Sequence, residues 1–85
     1  MRKTIYSAHY AALTDRLVEL REKAEMTQRE LAEALEVNQN TILRIEQGDR
    51  RVDLCEFYQI VMVLGANPKT EMSKMLTRFQ ELDKA

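Results

Sequence analysis

Little in this chain is equipped for covalent chemistry. It holds one histidine, His9, and one cysteine, Cys55, in different predicted helices, and neither stands near the partner that a nucleophile, a general base or a metal requires. There is no glycine-rich phosphate loop and no ligand cluster, so no enzyme activity, cofactor or metal is expected. The patterned chemistry lies between Gln28 and Gln47, QRELAEALEVNQNTILRIEQ. This spacing predicts two short helices joined by a tight turn. Leu31 and Leu35 sit one turn apart and bury one face, while Ala32 is small enough for a second helix to cross close by. Val37 fills the turn, and Ile42 and Ile45 seat the second helix on the first. The outer face of that second helix is left in solvent, free to enter a DNA major groove.

The elements that position this unit read as an all-α, five-helix domain spanning residues 1–85, with its core over 7–67 and a C-terminal helix over 68–85. Ser7 is the expected N-cap of a first helix running to Ala24, with Leu13, Leu17, Leu20 and Ala24 as its buried stripe. Thr27-Gln28-Arg29-Glu30 is a capping box opening the second helix. Asn38 caps the third, which ends near Gln47 before Gly48. Asp53 caps the fourth, whose stripe is Leu54, Phe57, Val61 and Leu64 before Gly65. Asn67-Pro68 opens a fifth that runs to about Asp83. Glu25 and Glu36 occupy turn positions that commonly take a left-handed backbone, a conformation costing a non-glycine residue roughly 1 kcal/mol.

Composition sets the broad class. Apolar residues make up 45% and charged residues 32% of 85, which fits a globular domain and excludes a disordered one. The apolar runs are too short to span a membrane, and MRKTIYSAHY lacks the apolar stretch of a signal peptide, so a cytoplasmic protein with no membrane partner is expected. Cys55 lies in the apolar run LCEFYQIVMVL and reads as a buried small hydrophobe. Met62, Met72 and Met75 likewise read as core. Tyr6 and Tyr10 share a helical face, as core edge or dimer packing, and His9 reads as a surface residue. The net charge of −1 is unusual for a nucleic-acid binder, since phosphate contacts supply most of the affinity. Any positive surface must therefore come from folding, with Arg44, Arg50 and Arg51 gathered on one side.

Over roughly residues 13–67 the chain resembles the lambda-repressor-like, or XRE-type, helix-turn-helix family. The resemblance is carried by Leu20-Arg21, Met26-Thr27-Gln28, Glu30-Leu31-Ala32, Ile45-Glu46-Gln47-Gly48 and Leu64-Gly65. Glu25 and Glu36 depart from it where the family favours glycine, and Leu43 where it favours a small or polar residue. The resemblance implies a transcription regulator binding double-stranded operator DNA, usually as a dimer. Carried over residue by residue, it implies base contacts from Gln39, Asn40 and Arg44. Gln and Asn suit adenine, and Arg suits guanine O6 and N7. Gln28, Thr41, Arg50 and Arg51 are the expected phosphate contacts, Gln28 acting together with the helix N-terminus. Leu43 is either a thymine-methyl contact or packed within the protein. Arg21 and Glu46 resemble the family's structural ion pair.

The fifth helix carries an apolar stripe of Met72, Met75, Leu76, Phe79 and Leu82. It either covers the core or pairs two chains. Self-association through it and part of the fourth helix is the preferred reading, because the stripe is long for a cover and the first four helices already close a unit; a two-fold dimer would place two recognition helices about 34 Å apart on a palindrome. The alternative function is an antitoxin-type or other interaction module whose fifth helix binds a protein partner, a toxin or RNA polymerase.

Overall fold

The computed structural model describes the backbone of residues 3–84 and side-chain surroundings from residue 8. Five helices and no strand occur among the described residues: α1 (Lys3–Lys23), α2 (Gln28–Leu35), α3 (Gln39–Glu46), α4 (Leu54–Val63) and α5 (Pro68–Lys84). The starts of α2 to α5 are set by side-chain caps. Thr27 accepts from the Glu30 amide while Glu30 accepts from the Thr27 amide, at 3.0 and 2.8 Å. Asn38 Oδ1 accepts from the Asn40 amide at 2.8 Å. Asp53 and Glu56 form a second capping box, and Asn67 Oδ1 accepts from the amides of Lys69 and Thr70. One boundary differs from expectation. The first helix begins at Lys3, so Ser7 lies inside it and is no cap. Nothing in Lys3–Tyr6 is a glycine or proline that would stop the helix there.

Four helices end with the same closure. After α1, the Glu25 and Met26 amides donate back to Glu22 and Arg21; after α2, those of Glu36 and Val37 donate to Glu33 and Ala32. Gly48 with Asp49, and Gly65 with Ala66, repeat the pattern after α3 and α4. Each is a Schellman motif, which requires one left-handed residue. Gly48 and Gly65 supply it without penalty. Glu25 and Glu36 supply it at φ 57° and 58°, so the chain carries backbone strain at the end of α1 and in the helix-turn-helix bend.

The core is built from Leu17 and Leu20 of α1, Leu31 and Ala32 of α2, Ile42 and Ile45 of α3, and Phe57, Ile60, Val61 and Leu64 at α4. Helix α3 packs on α2 and α1, α4 on α2 and α5, and α5 returns along α1. Leu13, Ala24, Leu35 and Met72 are partly buried against this core. Val37 is more exposed than expected of a residue filling the turn. An ion pair that spacing did not suggest joins α1 to α5. Arg16 Nε and Nη2 donate to both oxygens of the buried Glu71, at 2.7 and 3.1 Å, and Arg16 also pairs with Glu19. Burial opposes the charged form of Glu71, yet the bond from Arg16 wins and holds its carboxyl below the ordinary carboxylate range.

Helix α4 corrects three expectations. Leu54 and Met62 are 68% and 51% exposed, and Cys55 is exposed as well, so none is core. The inward arc of α4 is completed by Ile60, which leaves Leu54, Tyr58 and Met62 on its flank. The stripe of α5 also divides. Met75 is 4% exposed, closed off within its own chain, and has no surface to offer another. Phe79 stacks obliquely on His9, at a centroid distance of 5.2 Å, and His9 Nε2 lies 2.8 Å from Asp83 Oδ1. His9 thus ties α1 to α5. Phe79 and Leu82 are partly buried, and Leu76 stays exposed.

Candidate nucleic-acid interface

Three polar residues hold α3 against the body of the protein. Arg21 donates to both oxygens of Glu46, Nε to Oε2 at 2.7 Å and Nη2 to Oε1 at 3.1 Å. Its Nη1 donates to the Met26 carbonyl at 2.8 Å. Gln28 Nε2 completes the set by donating to Glu46 Oε1 at 2.8 Å. The end of α1, the start of α2 and the end of α3 therefore meet at one carboxylate. Its bidentate geometry fixes orientation as well as distance. Glu46 raises the affinity of Arg21 for its proton, chiefly through this hydrogen bond, so the guanidinium stays charged. The Arg21–Glu46 pair implied by the resemblance is present, and Gln28 is its third member. One amide hydrogen of Gln28 is committed there, which leaves the second at the N-terminus of α2.

With Ile42 and Ile45 turned inward, Gln39, Asn40, Leu43 and Arg44 of α3 and its C-cap Gln47 are exposed, and Thr41 is half-buried. Gln39, Leu43 and Gln47 follow one another at four-residue steps, and Asn40 and Arg44 form the adjoining row. The side chain of Arg44 has no ion pair, hydrogen bond or ring contact among the described residues. The other described arginines are engaged. Arg16, Arg21, Arg29, Arg50 and Arg78 each face a carboxylate, and Arg51 lies over the Tyr10 ring at 6.0 Å. An exposed guanidinium without a carboxylate is free to meet an external acceptor.

The loop after α3 is held by contacts that sequence reading missed. The Tyr10 hydroxyl donates to the Arg50 carbonyl at 2.9 Å, and burial pushes its pKa above the ordinary phenol value. Arg50 Nη2 donates to Glu56 Oε2 at 2.7 Å, while Nη1 reaches the Arg51 carbonyl. Glu56 therefore caps α4 and neutralises Arg50 at once. That pair holds the Glu56 carboxyl below the usual carboxylate range, with the Asp53 amide adding to the effect. The only sequence signal for this arrangement was the aromatic pair Tyr6 and Tyr10. Tyr6 lies outside the residues whose side chains are described.

Two short helices crossing at a left-handed bend, with the outer row of the second left open, define the class: a helix-turn-helix fold, whose second helix is shaped to lie in a DNA groove. The chain belongs to the helix-turn-helix domain family, whose model matches residues 12–74. It is similar to a solved structure described as an XRE-family like protein from Pseudomonas syringae pv. tomato str. DC3000, with 38% identity and a TM-score of 0.83. The match covers 89% of this chain and 93% of that one. No curated protein sequence matches it. The XRE-type resemblance is thereby confirmed, and the chain is a DNA-binding regulator of that type.

Proposed function

We propose that this protein is a sequence-specific transcriptional regulator that binds double-stranded DNA as a homodimer on a palindromic operator. The observation that carries the reading is the free guanidinium of Arg44 beside the exposed amides of Gln39 and Asn40, on a helix locked in place by Arg21, Gln28 and Glu46. A recognition helix must not rotate when base edges compete for its side chains, and a bidentate pair at its C-terminal end resists that rotation. Arg44 is then matched to guanine, and Gln39 and Asn40 to adenine. Leu43, standing between them, meets a thymine methyl. The second amide hydrogen of Gln28, Thr41 and Arg51 hold phosphates, and Arg50 acts mainly through the loop it braces against Glu56.

The test is fluorescence anisotropy on a labelled duplex over a range of salt, comparing wild type with Arg44→Ala. Binding that weakens with salt, and a variant that loses discrimination between sequences but keeps its helicity, is the expected outcome. Equal affinity of both proteins for every duplex would refute the reading.

A further inference from the structure

Helix α4 has more apolar surface than the described residues cover. At about 100° per residue, its apolar side chains from Ile60 through Phe57, Val61, Leu54 and Tyr58 to Met62 span an arc of roughly 200°. A helix facing a core on one side needs little more than half of that. The inner half is filled by Phe57, Ile60 and Val61, all buried. The outer half is Leu54, Tyr58 and Met62, one helical turn apart and 68%, 54% and 51% exposed. Met72 of α5 lines the groove beside Leu54 and Tyr58, and Leu76, one turn beyond Met72, is 54% exposed.

We propose that a second copy of this chain covers this face, the two α4 helices crossing antiparallel at Tyr58, Leu54 meeting Met62 of the mate, and Met72 and Leu76 closing the edge. The proposal rests on the dimeric reading above and places its seam. Two observations favour a second copy over another partner. A two-fold contact sets each patch against itself, so a charged patch would repel its mate. The exposed residues of α4 are Leu54, Cys55, Tyr58, Gln59 and Met62, none charged, and its one charged residue, Glu56, is already paired with Arg50. The stripe is also apolar on both sides of its central tyrosine, so antiparallel crossing sets like against like. The four exposed apolar side chains offer on the order of 400 Å² per chain, about half of what each partner gives to a standard interface, which is the size of a weak, reversible contact, with Cys55, Gln59 and Lys69 at the rim.

The chain carries its own probe. Cys55 is its sole cysteine and is exposed. Antiparallel crossing at Tyr58 sets the helix-axis points at the two Cys55 residues about 13 Å apart, from helix rise and interaxial distance, with both thiols on one side of the seam and within that span. The experiment treats wild-type protein at micromolar concentration with a bismaleimide of that span, and measures sedimentation equilibrium of wild type and Tyr58→Asp. The proposal expects a covalent dimer from wild type and none from Cys55→Ser. It expects a reversible wild-type dimer whose dissociation constant rises at least 100-fold in Tyr58→Asp, with helicity unchanged. A Tyr58→Asp protein that dimerises like wild type, or a dimer that the linker fails to join, overturns the seam and leaves the dimeric reading standing. A wild type that stays monomeric both free and on DNA overturns both. The linker experiment needs no substitution in the seam, so the proposal stays testable if Tyr58→Asp does not fold.

Discussion

Replacing Glu36 by glycine should raise the stability of this protein, against the usual effect of adding glycine. Glu36 closes α2 at φ 58°, ψ 42°, in the left-handed region. That conformation costs an L-residue about 1–2 kcal/mol, and glycine avoids it. Glycine gives back about 0.5–1 kcal/mol because its unfolded chain has more freedom to lose. The Glu36 carboxylate also sits at the negative end of the α2 dipole, where removing it gains about 0.3 kcal/mol at an exposed site. The net gain is about 1 kcal/mol, or roughly 5 °C in melting temperature for a domain of this size. Thermal unfolding followed by circular dichroism should compare Glu36→Gly, Glu36→Ala and Glu36→Gln. Alanine and glutamine remove the charge and keep the strained backbone, so glycine should melt several degrees above both. The gain over glutamine should survive added salt, because it comes from the backbone. If Glu36→Gly melts at or below Glu36→Gln, the strain argument is wrong. Glu25→Gly should add a similar, independent gain, since the two turns are separated by the length of α2.

Other substitutions separate scaffold from site. Arg16 holds the Glu71 carboxyl below its ordinary 4.5, so its stabilising effect is complete above that pH and is lost as pH falls through the folded-state value; Glu71→Gln should flatten part of the acid limb of denaturant-measured stability, and a limb that superimposes on wild type would contradict the pairing. Leu43 should make thymine methyls matter: placing deoxyuridine for thymidine at the contacted position should weaken wild-type binding about fourfold, the loss of one buried methyl, and leave Leu43→Ala indifferent. Arg51→Ala should lower the slope of log affinity against log salt by about 1. Arg50→Ala should change the slope less and the melting temperature more, because Glu56 already neutralises Arg50.

What was legible in the sequence was local. The caps at Thr27, Asn38, Asp53 and Asn67 sit within three residues of the amides they satisfy, so α2 to α5 begin where the side chains say. The strained turns at Glu25 and Glu36 were legible because the end of a helix and the bend of a helix-turn-helix commonly take a left-handed residue. The Arg21–Glu46 pair, 25 residues apart, came only through resemblance, and the structure adds Gln28 to it. Long-range partners were not legible. Arg16 meets Glu71 across 55 residues because α5 returns along α1, and nothing near either residue signals that path. Tyr10 and the Arg50 loop meet for the same kind of reason. Apolar arcs were ambiguous in another way. Periodicity gave an apolar face for α4 and for α5, but not how much of each the chain's own core would take. Leu54, Cys55 and Met62 therefore fell outside the core, and Met75 fell inside it.

The most direct test of the central claim is selection of bound duplexes from a random-sequence DNA pool by the purified protein at moderate salt. Enrichment of an inverted repeat is predicted, with half-sites about one helical turn apart and guanine and adenine at the positions read by Arg44, Gln39 and Asn40. A folded protein that enriches no sequence would contradict the account and point to a module whose partner is another protein.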